Sequence, residues 1–198
     1  FNSVNDRPEI TLPDTIRFNE DSIFEVDFSS YVSDPDVGDI LTLTANTNSY
    51  INVEIENFMV TFEPVENWSG NQWLTFTVND DASRYTDSDG VRVVVDNTND
   101  APYVTAPIDD FSFYEDYSND DIDLNAVFDD PDLDYGDNLA FSYSGNTHIQ
   151  VAISDGVVTL TPETNWNGSE IINFTFPRYI WKSRSSIAAR VGSRSRSP

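Results

Sequence analysis

The chain has 198 residues and carries 35 Asp and Glu against 10 Lys and Arg, a formal net charge of −25, with no Cys and a single His. That charge repels nucleic acid and anionic membranes, and the missing cysteines exclude thiol catalysis, disulfide stapling and the usual structural zinc sites. No run approaches the length of a membrane-spanning apolar helix, so no membrane insertion is expected.

In chain order, residues 1–7 read as the end of a preceding repeat and its linker, with Asn5-Asp6-Arg7-Pro8 at the boundary. Residues 8–101 form a first module and residues 102–176 an incomplete second one. The repeat is visible by self-comparison, which precedes any fold assignment. Phe18-Asn19-Glu20-Asp21 matches Phe113-Tyr114-Glu115-Asp116, Asp34-Pro35-Asp36 matches Asp130-Pro131-Asp132, and Asn67-Trp68-Ser69-Gly70 matches Asn165-Trp166-Asn167-Gly168.

Periodicity is that of β structure throughout. Leu41 to Thr44, Ile51 to Ile55, Trp73 to Val78 and Val91 to Val95 are rich in β-branched and aromatic residues, and most alternate with period two. Asp155-Gly156, between Val151-Ala152-Ile153 and Val157 to Leu160, is the residue pair of a tight hairpin. The fold class is therefore all-β, two tandem Greek-key sandwiches of cadherin- or immunoglobulin-like form, the second one truncated.

The end of the chain breaks this pattern. Residues 1–176 hold every acidic residue and four arginines, whereas residues 177–198 hold six bases and no acid. The tail replaces residues that the module needs for its last strand, so 177–198 reads as a frameshifted or vector-derived segment.

Asp96-Asn97-Thr98-Asn99-Asp100-Ala101-Pro102, after the strand-like run 91–95, crowds oxygen ligands into a short junction. Hard oxygen donors suit Ca²⁺, whereas softer metals want His or Cys. An EF-hand over Asp130 to Phe141 fails, because Gly136 falls at position seven where six is required and Phe141 replaces the bidentate Glu.

These residues resemble cadherin-type repeats in their bacterial form. The junction 96–102 is similar to the family linker Asp-x-Asn-Asp-Asn-Ala-Pro, and Asp130-Pro131-Asp132, Gly136 and Asn138-Leu139 are similar to its Asp-x-Asp, Gly, Asn series. The family's Asp-Arg-Glu motif is absent from both modules. The resemblance implies calcium at the central junction held by Glu20, Asp96, Thr98, Asn99, Asp100, Asp130, Asp132 and Asn138. It assigns Asn5, Asp6, Asp34, Asp36 and Asp80 to an upstream junction.

The implied protein is a non-catalytic calcium-binding repeat of a bacterial surface or secreted adhesin-like protein, extracellular or at the cell surface. Its partners would be further repeats of the same parent, and surface proteins or polysaccharide. The alternative is a calcium-dependent polysaccharide-binding module of a secreted carbohydrate-active enzyme. Trp68 and Trp166 read as plugs over the core; Trp73, which has Ile171 as its counterpart, is the candidate carbohydrate contact. His148 has no nucleophile motif or second His and reads as a loop residue.

Overall fold

A computed structural model describes residues 5–36, 38–80 and 85–176, and the backbone of 186–194. Residues 1–4 of the expected preceding-repeat segment and 177–185 and 195–198 of the basic tail lie outside the described residues. The chain divides into two compact units, Phe1–Thr98 and Asn99–Pro198.

The first unit contains β1 (Glu9–Ile10), β2 (Thr15–Asn19), β3 (Phe24–Asp27), β4 (Val32–Ser33), β5 (Leu41–Ala45), β6 (Ile51–Glu56), β7 (Met59–Pro64), β8 (Gly70–Asp80) and β9 (Thr86–Asp96). A four-stranded sheet of order β2-β9-β8-β5 faces a three-stranded sheet of order β3-β7-β6. All these pairs are antiparallel except β2 with β9. The period-two pattern decides the faces: Leu74, Phe76 and Val78 of β8 and Val91, Val93 and Val95 of β9 enter the core with Phe18, Phe28 and Phe62. Phe28 meets Phe76 edge-on at 4.9 Å between ring centroids. Each such fully buried ring contributes about 1.5–3 kcal/mol, so the aromatic cluster supplies a large share of what opposes chain entropy.

The second unit repeats the plan with β10 (Tyr103–Val104), β11 (Phe111–Tyr114), β12 (Asn119–Asp123), β13 (Phe128–Asp129), β14 (Ser142–Ser144), β15 (Ile149–Ser154), β16 (Val157–Pro162), β17 (Gly168–Thr175) and β18 (Ser186–Arg194). The sheets are β11-β18-β17-β14 and β12-β16-β15. The Asp155-Gly156 hairpin forms as expected between β15 and β16, with φ of +50° and +84°. Only glycine suits the second position, because an added Cβ there would stand 2.0 Å from Asn125 Nδ2.

The last strand of the second sandwich comes from within the stretch whose composition departs from the repeat. Backbone 186–194 lies between β17, antiparallel over eight residue pairs, and β11, parallel. This is the place that β9 fills in the first unit, between antiparallel β8 and parallel β2. Ladder hydrogen bonds come from the main chain and are indifferent to side-chain type. The unpaired edges of β17 and β11 thus accept a strand whose composition departs from that of the repeat.

The Asn-Trp-x-Gly turns have one geometry in both units. Asn67 and Asn165 sit at positive φ, with their amides donating to Asp21 and Asp116 respectively at 2.8 Å. The Trp68 and Trp166 rings pack on the two cores. Each lies over its glycine so closely that a Cβ on Gly70 or Gly168 would stand 3.0 or 2.6 Å from the ring. Both tryptophans are core plugs, as the sequence indicated.

Candidate functional site

Within the first unit, the loop from β4 to β5 and the end of β8 bring acids together. The Asp36 amide donates to Asp34 Oδ1 at 2.8 Å, closing the Asp-Pro-Asp turn. Asp80, fully buried at the end of β8, accepts from the Asn5 side-chain amide at 2.6 Å, and Asp36 accepts from the Asp6 amide at 2.5 Å. The five residues assigned to an upstream junction, Asn5, Asp6, Asp34, Asp36 and Asp80, are thus joined by hydrogen bonds in two groups.

Asp34 and Asp80 converge with a residue that the sequence reading missed. Asp34, Asp39 and Asp80 each present an oxygen within 4.8 Å of the other two. Two oxygens bound to one calcium at about 2.4 Å can lie at most about 4.8 Å apart. Asp34 Oδ2 and Asp39 Oδ2 are buried with no hydrogen-bond partner, an arrangement that buried polar groups avoid unless something else answers them. Burial, and after it the negative charges of Asp80, Asp36 and Asp34, hold the Asp39 carboxyl above its ordinary value. Hard oxygen donors, convergence and unanswered charge fit a divalent hard cation.

The second unit has the counterpart. Asp130, Asp132 and Asp137 present oxygens within 4.8 Å of one another, and Asp130 and Asp132 are buried. The Asp132 amide donates to Asp130 Oδ1 at 2.9 Å, the same turn as at Asp34. A short 3₁₀ turn, Leu133–Tyr135, ends at Gly136 with φ of +107°, and the Asp137 amide then donates to the Asp132 carbonyl at 3.2 Å. Asn138, expected as a ligand, is exposed and donates its side-chain amide to the Gly136 carbonyl at 3.2 Å. Its neighbour Asp137 joins the acids. The signal that could have found Asp39 and Asp137 is the Gly-Asp pair shared by the two loops, Gly38-Asp39 and Gly136-Asp137.

The linker residues divide between the units. In the first, Glu20 is buried and its Oε1 accepts from the Thr98 amide at 2.6 Å, while its own amide donates to the Asp96 carbonyl. A charge-assisted bond of this length pins the linker to β2's end. Asp96 is turned to Arg17, with Nη1 2.7 Å from Oδ1, an exposed pair worth little. In the second, the Asp100 amide donates to Asp132 Oδ2, and the Asn99 side chain donates to the Asp100 carbonyl at 2.8 Å.

The remaining candidates settle as follows. Trp73 is 65% exposed on β8, directly across from Arg92 of β9. His148 stacks on Trp166 at 5.2 Å, with Nδ1 2.9 Å from Glu163 Oε2. Tyr50 stacks on Trp68 at 4.9 Å in the equivalent place, so the imidazole occupies a packing position.

Residues 5–94, most of the first unit, match the family model described as Bacterial Ig domain. The first unit is thus similar to a bacterial Ig domain, and the second unit repeats its fold and several of its motifs. Among solved structures it is similar to human CDH23 EC21-23, with a TM-score of 0.56 at 17% identity over 95% of this chain and 64% of that one. It is also similar to human Protocadherin-24 EC1-2, with a TM-score of 0.51 at 13% identity over 96% of this chain and 100% of that one. The endo-fucoidan hydrolase MfFcnA4 from glycoside hydrolase family 107 is more distant, at a TM-score of 0.42 and 16% identity; this chain covers 96% of its own length but 29% of that enzyme. These likenesses concern the fold. No curated protein matches the chain.

Proposed function

We propose that the chain is a non-catalytic, calcium-binding segment of a bacterial surface or secreted adhesin-like protein, in which calcium at each end of a repeat fixes it against its neighbour. The observation that carries this is the Asp34–Asp39–Asp80 group, with two buried carboxylate oxygens that no protein donor answers. Its near-copy at Asp130, Asp132 and Asp137 supports a repeated site. Bacterial Ig-like domains are typically extracellular or surface modules without catalytic activity, and no helix among the described residues is long and apolar enough to cross a membrane.

Calorimetric titration with Ca²⁺ and melting in EDTA against millimolar calcium test the reading together. Sites of extracellular modules bind with dissociation constants of roughly 10⁻⁴–10⁻³ M, so at about a hundredfold excess the bound state gains about 2.7 kcal/mol. Saturable heat and a raised melting temperature are expected. Identical melting curves in the two buffers would overturn the proposal.

A further inference from the structure

The sandwich of the first unit is two-faced in charge. On the outer side of the three-stranded sheet β3-β7-β6, the alternation points Glu25, Asp27, Glu54, Glu56 and Glu63 to solvent. On the outer side of β2-β9-β8-β5 the sole outward carboxylate among the described residues is Asp96, at one end and paired with Arg17. The other acids of β9, Asp87 and Asp89, lie on the opposite side of the strand, where they accept from the amides of Ile10 and Leu12 at 3.0 and 2.8 Å. In a molecule this acidic, one broad face is almost free of acid.

That face is built of hydroxyls around one ring. Trp73 lies beside Gly90, whose missing side chain leaves the ring open, the nearest ring atom standing 3.9 Å from where a Cβ would be. Thr44 and Ser88 flank Thr77 in one row across the strands, with Thr77 Oγ1 2.8 Å from Ser88 Oγ. Thr75 projects between that row and Trp73, and Arg92 stands across from the ring. The second unit keeps the acid-free character over β11, β14 and β17, including a Ser142–Thr175 hydroxyl contact of 2.6 Å, but has Ile171, half exposed, at the place of Trp73.

We infer that the outer β8–β9 face of the first unit, centred on Trp73, binds an extended neutral polysaccharide. A flat occupant must displace water from every outward side chain it covers. Covering carboxylates without a partner is costly, whereas hydroxyls and amides regain their hydrogen bonds from sugar hydroxyls. The C–H face of a pyranose ring stacks on an exposed indole, and Arg92 and the threonines ring it with donors and acceptors. A polyanion is repelled by the net charge of −25. A protein partner needs an apolar centre within roughly 800 Å² per side, and this face offers a single large apolar side chain. The inference needs no calcium and stands apart from the metal sites.

Affinity electrophoresis of the whole chain, in EDTA and in calcium, against β-glucan, xyloglucan, galactomannan and the polyanion alginate tests it. Retardation by at least one neutral polysaccharide in both buffers is expected, weakened at least tenfold by Trp73→Ala and unchanged by Glu54→Ala on the opposite face. Trp73 is exposed, so its variant should melt with the wild type, which separates lost binding from lost fold. Four results would each overturn the inference: no retardation by any neutral polymer; alginate preferred; binding that survives Trp73→Ala; or self-association removed by Trp73→Ala without polysaccharide binding. Binding abolished only by EDTA would move the site to the metal-dependent regions and also overturn it.

Discussion

At the residue scale, Asp39 carries the sharpest conflict between stability and function. Its carboxylate is half-buried among Asp34, Asp36 and Asp80, which raises its proton affinity in the folded state. A group with a raised folded pKa stabilises the protein while protonated and loses that contribution as pH rises through the folded value. Without calcium at neutral pH, Asp39 is therefore a destabilising charge. Asp39→Asn, which keeps the shape and removes the charge, is expected to raise the melting temperature in EDTA at pH 7 by a few degrees. That gain should shrink as pH falls to the ordinary carboxylate range. The same substitution should remove most of the calcium-induced rise, because one of three convergent oxygens loses its charge. Thermal melts of both proteins from pH 4 to 7.5, with and without calcium, check the two halves of this trade. Equal calcium shifts in the two proteins would remove Asp39 from the site.

At the element scale, β18 matters most to the second sandwich. It is held by eight antiparallel pairs to β17 and four parallel pairs to β11. Removing it leaves β17 and β11 with unpaired donors and acceptors on facing edges, a template for another chain. A chain truncated after Phe176 is expected to self-associate and to show an early melting step from the second unit. Hydrogen exchange on the intact chain should show protected amides within 186–194. Complete exchange of those amides at the unprotected rate would contradict the pairing. A truncated chain that stays monomeric and melts like the full one would do so as well.

At the scale of the whole molecule, the charge of −25 sets the background against which any calcium effect must be read. Self-repulsion destabilises the compact state and any electrolyte relieves it. Raising NaCl from low values toward about 0.5 M contracts the Debye length to under about 5 Å and is expected to raise the melting temperature in EDTA. Calcium held by convergent carboxylates should add a further rise of several degrees at that salt, since bound pairs at contact distance are screened far less. Melting across a salt series at fixed calcium checks it. If the calcium increment disappears at high salt, the ion is only screening diffuse charge, and the two acid groups are surface clusters.

The sequence by itself determined the repeat, the strands and the turns. Period-two alternation needs only local sterics and a buried face, so Trp73 to Val78 and Val91 to Val95 could be read directly. Asp155-Gly156 announced its hairpin because few residues accept positive φ twice in succession. The Asp-Pro-Asp turns were legible for the same local reason. The family resemblance placed Asp34 and Asp80 at one junction, and tertiary structure alone added Asp39 to them and Asp137 to Asp130 and Asp132. Asp80 ends a strand 46 residues from Asp34, and Asp39 joins them because the loop after Gly38 folds back. No spacing rule marks that, though Gly-Asp recurs in both loops. Beside Asn138, the turn at Gly136 also brings Asp137 to the acids, which position alone did not mark. The pairing of 186–194 has a related reason. Composition argues against a strand, but a sheet edge selects for backbone, and two open edges together outweigh side-chain preference. Likewise the acid-free face around Trp73 exists only once four strands, distant in sequence, are laid side by side.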